Sequence, residues 1–222
     1  TAAGVSIHVD KRIPIAGGMA GGSADAAAAL VACNQLWGLG LTLEQLCQIG
    51  RTLGADVPAC IMGGMTLGQG RGDRLTSLLD SDQSLWPCHY WVMARAHHGL
   101  STPEVFRTLD QLREGGVPAQ LSDAERHALC SDADTLASVL CNDLTAPALH
   151  LYPELATTIH DAKDAGACAA ILSGSGPTIA VLARDREHAS ELAEALGTSS
   201  EVSAVLPTSG PAVGAIVEEE ES

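Results

Sequence analysis

Aromatic residues are scarce in this sequence. Phe, Tyr and Trp make up 3% of 222 residues, with one phenylalanine, Phe106. A core without large rings must be built from many small aliphatic side chains. Hydrophobic residues at 46% supply them and place the chain among globular rather than disordered sequences. Cations are scarce too. Lys and Arg total 12 against 27 Asp and Glu, a net charge of −15, and no Lys/Arg cluster occurs. Nucleic acid and anionic membrane surfaces both require a basic footprint, so neither is an expected partner. A phosphate ligand would rely on backbone N–H groups, a metal ion or residues outside this chain. No apolar run is long enough to span a bilayer, and the opening residues do not read as a signal peptide. The seven cysteines (33, 47, 60, 88, 130, 141 and 168) are odd in number and include no C-x-x-C pair. That pattern argues against a disulfide framework or a zinc site and for free thiols in a reducing, cytoplasmic setting.

The chain opens at Thr1, and Val5-Ser6-Ile7-His8-Val9 alternates like a strand within a sheet. The expectation is a start inside a domain. A loop with Pro14 and four glycines leads to a helix over about 24–37, with Ser23 as its N-cap and Gly38 as its stop. Thr42 caps a second helix that ends near Gly54. Residues 63–72 read as a glycine-punctuated strand or loop. Past Trp86-Pro87 the pattern predicts strands at 89–95, 169–172, 178–182, 202–206 and 212–217. It predicts helices at 103–113, 135–149, 153–165 and 186–196. Strands and helices alternate without a strict βαβ rhythm, so the fold class is α+β. Glu218 to Glu221 read as a solvated acidic tail.

The stretch Pro14-Ile15-Ala16-Gly17-Gly18-Met19-Ala20-Gly21-Gly22-Ser23-Ala24 carries the most information. Glycines let the backbone approach a ligand, and they lead into a helix N-terminus whose free N–H groups and dipole favour an anion. Ser23 is placed to cap the helix, touch a phosphate or ligate Mg²⁺. A tight strand-to-helix connection would use the same residues. No Gly-Lys-Ser/Thr follows, and the spacing is not G-x-G-x-x-G, so a P-loop and a dinucleotide fingerprint are both excluded.

This loop, running into Asp25-Ala26-Ala27, resembles the ATP loop of the GHMP kinases, in the form found in the kinases of non-mevalonate isoprenoid synthesis. The resemblance continues through Leu36-Trp37, Leu53-Gly54-Ala55-Asp56-Val57-Pro58, Gly63-Gly64 and Gly68-x-Gly70-x-Gly72. It extends to Leu172-Ser173-Gly174-Ser175-Gly176-Pro177-Thr178. The chain departs from the family at Ala20, where glycine is common, and at Ala24, where a second serine often sits. The missing hydroxyl leaves the Mg²⁺ ligand open.

The resemblance implies a two-domain GHMP-kinase fold, with the first strands of the N-terminal domain outside this chain. Residues 1–80 would be the back half of the ATP-binding domain, 81–217 the substrate domain and 218–222 the tail, with the active site in the cleft between domains. It implies ATP and Mg²⁺ as cofactors, with residues 14–24 on the nucleotide and Ser23 as the metal ligand. The substrate is expected to be a small molecule, a cytidine diphosphate-linked polyol. Taken alone, Asp56 is an aspartate after a helix, a common turn former. Pro58 holds the preceding residue extended. By resemblance Asp56 is the catalytic base. The family's partner lysine belongs to an early strand motif not found here, and Lys11, beside the loop, is not that residue. The isolated chain is therefore expected to be inactive. Phe106 is either a core anchor or, as the resemblance implies, a stacking platform for cytosine. Gly174 and Gly176 match the motif that closes the family's site near substrate and phosphates. Other GHMP kinases, acting on homoserine or mevalonate, and a non-catalytic nucleotide-binding module are the alternatives. Oligomeric state is not legible.

Overall fold

The computed structural model describes residues 4–15, 17–79, 82–113 and 120–218, and the chain divides into two compact units. The first comprises Thr1–Ile15, Ala20–Ser84 and Pro211–Ser222. The second comprises Ala16–Met19 and Leu85–Gly210. The expected 81–217 domain therefore loses its last stretch to the first unit. Gly64 N–H donates to Ala212 O (2.7 Å), and Ala215 N–H donates to Cys60 O (2.9 Å). These backbone bonds hold 211–217 there in place of the predicted strand at 212–217. Only an isolated bridge, Gly63 to Val213, has strand character.

In the first unit, α1 (Gly21–Leu36) is followed by α2 (Leu43–Leu53), α3 (Val57–Met62) and a hairpin of β1 (Thr66–Gln69) and β2 (Arg74–Ser77). Helix α2 matches its sequence signals. Thr42 and Gln45 form a reciprocal capping box, and the helix ends at Gly54. The Asn34 amide ties the end of α1 to the α2 entry through Leu41 N and O (3.0 and 3.1 Å). Ala27, Leu46, Cys47, Val57 and Ile61 form the buried core. The glycine at position 50 allows α2 to lie against α3, since a Cβ there would meet Val57 Cγ1 at 2.9 Å. Residues 5–9 are not a strand. They have no strand partner among the described residues, and Val5, Ile7 and Val9 stay 46%, 57% and 46% exposed. Alternation alone does not satisfy backbone groups; a neighbouring strand does.

In the second unit, an antiparallel sheet has the order β4-β5-β3-β6: β4 (Ala169–Leu172), β5 (Thr178–Ala183), β3 (His89–Ala96) and β6 (Val202–Gly210). Pro207, which has no N–H to give, sits on the edge strand β6. Helices α4 (Thr102–Leu112) and α5 (Asp123–Leu129) follow β3, then α6 (Ala133–Ala137), α7 (Thr145–Leu151) and α8 (Leu155–Asp164), with α9 (Arg186–Leu196) after β5. Val92, Ala94, Val181, Leu155, Leu192 and Leu196 anchor the core between sheet and helices. The single helix expected at 135–149 is two. Ser138 donates its hydroxyl to Thr135 O (2.6 Å), and the Asn142 side chain accepts from Leu144 N–H (2.9 Å), so the chain turns where a helix would continue.

Candidate active site

Helix α1 starts three residues earlier than its alanine run suggests. Its N-cap is Ala20, left-handed at φ 49°, ψ 26°, and no side chain caps the helix. Ser23 is thus the third helical residue, not the cap. The first N–H groups of α1 have no intrahelical acceptor, and among the described residues no side chain occupies them. A Cβ added at Gly22 would meet nothing within 4 Å, so the space beside this backbone is open. A Cβ at Gly21 would lie 2.9 Å from Ile13 Cγ2, so Gly21 is dictated by packing. Pro14 and Ile15 lead in, Ile15 being 77% exposed; Ala16 lies outside the described residues. Lys11 forms an ion pair with Asp25 on α1, which engages the cation expected beside the loop.

The Ser23 hydroxyl lies 3.9 Å from where a Cβ on Gly54 would stand, so α1's first turn borders the Gly54-Ala55-Asp56 loop. Asp56 holds the N-cap position of α3, yet its side chain makes no capping bond, and the residue is exposed. Its carboxylate is not consumed by the helix it precedes. Val57 is helical, not extended as the following proline suggests. Proline is tolerated in a first turn, where no carbonyl needs its missing N–H, and burial of Val57 and Pro58 favours the helix. One turn on, burial and then the charge of Asp56 push the Cys60 thiol above its usual range.

In the second unit, three predicted site glycines meet backbone to backbone. Gly18 (φ 71°) packs so closely that a Cβ would stand 2.3 Å from Ser173 O and 2.8 Å from Gly176 O. Gly174 (φ 54°) and Gly176 (φ 78°) shape the facing turn, and Ser173 Oγ donates to Gly18 O (2.9 Å). Gly17 is buried and Met19 half-buried. The turn is held elsewhere as well. Thr102 and Ser175 share a hydroxyl hydrogen bond of 2.7 Å, with Ser175 buried. The Asn142 amide donates to Leu172 O (2.9 Å) and Gly174 O (2.8 Å). Asn142 was not singled out by its sequence setting, where only an Asn-Asp pair inside an apparently helical stretch marks it. Neither Ser101 nor Thr102 caps α4 through its side chain; Ser101 holds the N-cap position and Thr102 faces the turn. Phe106 is not a core anchor. On α4, Val105 and Thr108 are buried, while Phe106 is 50% exposed, leaving ring surface available.

Residues 1–64 match the GHMP kinases N terminal domain, and residues 121–202 match GHMP kinases C terminal. The 4-diphosphocytidyl-2-C-methyl-D-erythritol kinase of Streptomyces coelicolor is 48% identical over 216 residues, covering 96% of this chain and 71% of that protein. The chain belongs to the GHMP kinases. The Nocardia farcinica protein of the same name is 47% identical over 221 residues, covering 98% of this chain and 70% of that one. A crystal structure of a 4-(cytidine 5'-diphospho)-2C-methyl-D-erythritol kinase superposes with a TM-score of 0.74 at 30% identity, over 90% of this chain and 68% of that chain. The α+β arrangement is therefore the GHMP-kinase fold, and the phosphate donor of such kinases is ATP. With 12 cations against 27 acidic groups in the chain, the uncapped α1 N-terminus presents backbone N–H groups of the kind that favour an anion. No described helix is long and apolar enough to cross a membrane.

Proposed function

We propose that this GHMP kinase transfers the γ-phosphoryl group of ATP to the 2-hydroxyl of 4-diphosphocytidyl-2-C-methyl-D-erythritol, as a cytoplasmic enzyme of isoprenoid precursor synthesis. The observation that carries the reading is near-half identity to kinases of that name along almost the whole chain. An odd number of cysteines with no C-x-x-C pair accords with the location.

The uncapped N–H groups at Gly21, Gly22 and Ser23 hold phosphate oxygens, and open space at Gly22 admits them. Among the described residues no group of three or more His, Cys, Asp or Glu side chains could hold a metal. Mg²⁺ on a nucleotide needs little from the protein, since phosphates and water fill most of its shell. Ser23 brings the only hydroxyl between Gly17 and Ala24, and that fits one protein ligand. MgATP, when bound, supplies the phosphoryl group. Asp56 accepts the proton of the attacking hydroxyl on a carboxylate oxygen left free by α3. Phe106 offers its exposed ring to the cytosine, and Gly174 and Gly176 serve the substrate.

A coupled ADP-release assay on the complete protein tests the reading. Turnover is expected with the cytidine diphosphate-linked alcohol and not with homoserine or mevalonate. Comparable turnover on either of those two, or ATP binding without turnover on any, overturns it.

A further inference from the structure

We propose that Asn142 is a positioning residue for the ATP loop, acting through the Ser173–Gly176 turn, an inference that rests on the kinase reading above. A primary amide has two N–H donors, and in Asn142 each goes to a backbone carbonyl of this turn, Leu172 O at 2.9 Å and Gly174 O at 2.8 Å. The amide oxygen accepts from Leu144 N–H at 2.9 Å. This set fixes the orientation of the group, because a flipped amide would set its oxygen against two carbonyl oxygens and its NH₂ against an N–H.

The two clamped carbonyls flank Ser173. That residue donates its hydroxyl to Gly18 O (2.9 Å), and its own carbonyl accepts from Gly176 N–H (2.8 Å). The Thr102–Ser175 hydroxyl pair fastens the next residue of the turn. Gly18 has no freedom to drift: a Cβ would not fit between it and Ser173 or Gly176. The only side chain bonded to both sides of Ser173 is Asn142 among the described residues, so it sets where the Ser173 hydroxyl stands, and that hydroxyl sets Gly18. The break between α6 and α7 places it there.

ATP affinity, measured by equilibrium titration of the chain with ATP, tests this. Asn142→Leu keeps the volume without donors or charge, and Ser173→Ala removes the link to Gly18. Each is expected to weaken ATP binding about tenfold. Together they should weaken it no more than the stronger single change, because both act through one contact. A role confined to folding predicts a lower unfolding midpoint with ATP affinity within about twofold of the parent, and that result overturns the proposal. Effects that multiply to about a hundredfold overturn it too. If Asn142→Leu does not fold, Thr102→Val decides. It loosens the same turn at Ser175, so weaker ATP binding supports the clamp and unchanged binding sinks it. A complete protein that binds ATP without phosphorylating the cytidine alcohol would refute the substrate reading and leave this test intact.

Discussion

Fourteen buried apolar residues, from Val92 to Leu196, form one cluster in the second unit; among the described residues the first unit gathers five, from Ala27 to Ile61. The first unit's helices also leave large apolar side chains in the open, with Leu36 at 64%, Leu43 at 54% and Leu53 at 60% exposed. The thinner unit nevertheless carries the uncapped α1 N-terminus and the free Asp56 carboxylate, while the denser one carries a turn whose two serine hydroxyls are both paired. A helix end free for a ligand is one not capped by its own protein, and a carboxylate free for a proton is one not spent on a cap. On the proposed reading, the chemistry falls where local stability is left unclaimed, and the support falls where the packing is dense.

The largest expected effect tests the first half of that contrast. In the complete protein, Asp56→Asn should lower kcat by roughly 10²–10⁴ and change KM far less. Its unfolding midpoint should stay put, because no capping bond is lost. Steady-state kinetics beside a melting curve decide the matter; a near-normal kcat returns Asp56 to a turn former. Gly22→Val comes next. The space there is open, so the chain should fold, while ATP affinity should drop by about a hundredfold as the side chain fills the phosphate approach. Gly21→Val meets Ile13 and should lose stability as well, which separates ligand space from packing space. Unchanged ATP affinity in folded Gly22→Val would remove the anion site from α1.

Stability mutants test the second half. Leu192 is fully buried in the larger cluster, so Leu192→Ala should cost about 2–5 kcal/mol by urea unfolding. Leu46→Ala, in the smaller cluster, should cost less. The reverse order would break the contrast. Phe106→Leu should barely alter stability, since half the ring is exposed, but should weaken binding of the cytidine alcohol by about 1–3 kcal/mol with ATP affinity unchanged. Equal KM values for mutant and parent would end the stacking reading.

Local signals were legible in the sequence. Thr42 and Gly54 bracket α2, and the predicted 186–196 helix is α9. The glycine loop running into a helix was readable because both features lie within ten residues. Three things were hidden. Helix α3 was masked by Pro58, which reads as a breaker unless its first-turn position is known. The meeting of Gly18 with Ser173, 155 positions apart, has no local signature. The loop at Asn142 was masked because its flanks, 135–137 and 145–149, are helical in composition, and an Asn that bonds backbone two residues on differs from a helical Asn only in three dimensions. For Phe106, type alone favoured burial, and its exposure follows from the face of α4 that Val105 and Thr108 turn to the core.

The smallest expected effect concerns Ala20, the one described non-glycine residue at positive φ. A left-handed alanine is strained by about 1–2 kcal/mol, because Cβ crowds the following carbonyl oxygen. Glycine relieves that strain but has more conformational freedom to lose on folding, an opposing effect of about 0.4–1 kcal/mol. The strain term is the larger, so Ala20→Gly should stabilise the chain by about 0.5–1 kcal/mol in urea unfolding. Ala20 is exposed and its side chain makes no cap, so nothing else is lost. The substitution leaves the α1 N–H groups where they are, and ATP affinity should remain within about twofold of the parent. Destabilisation by Ala20→Gly would mean that Ala20 does not hold the left-handed conformation from which α1 starts, and the geometry assigned to the anion site would fall with it.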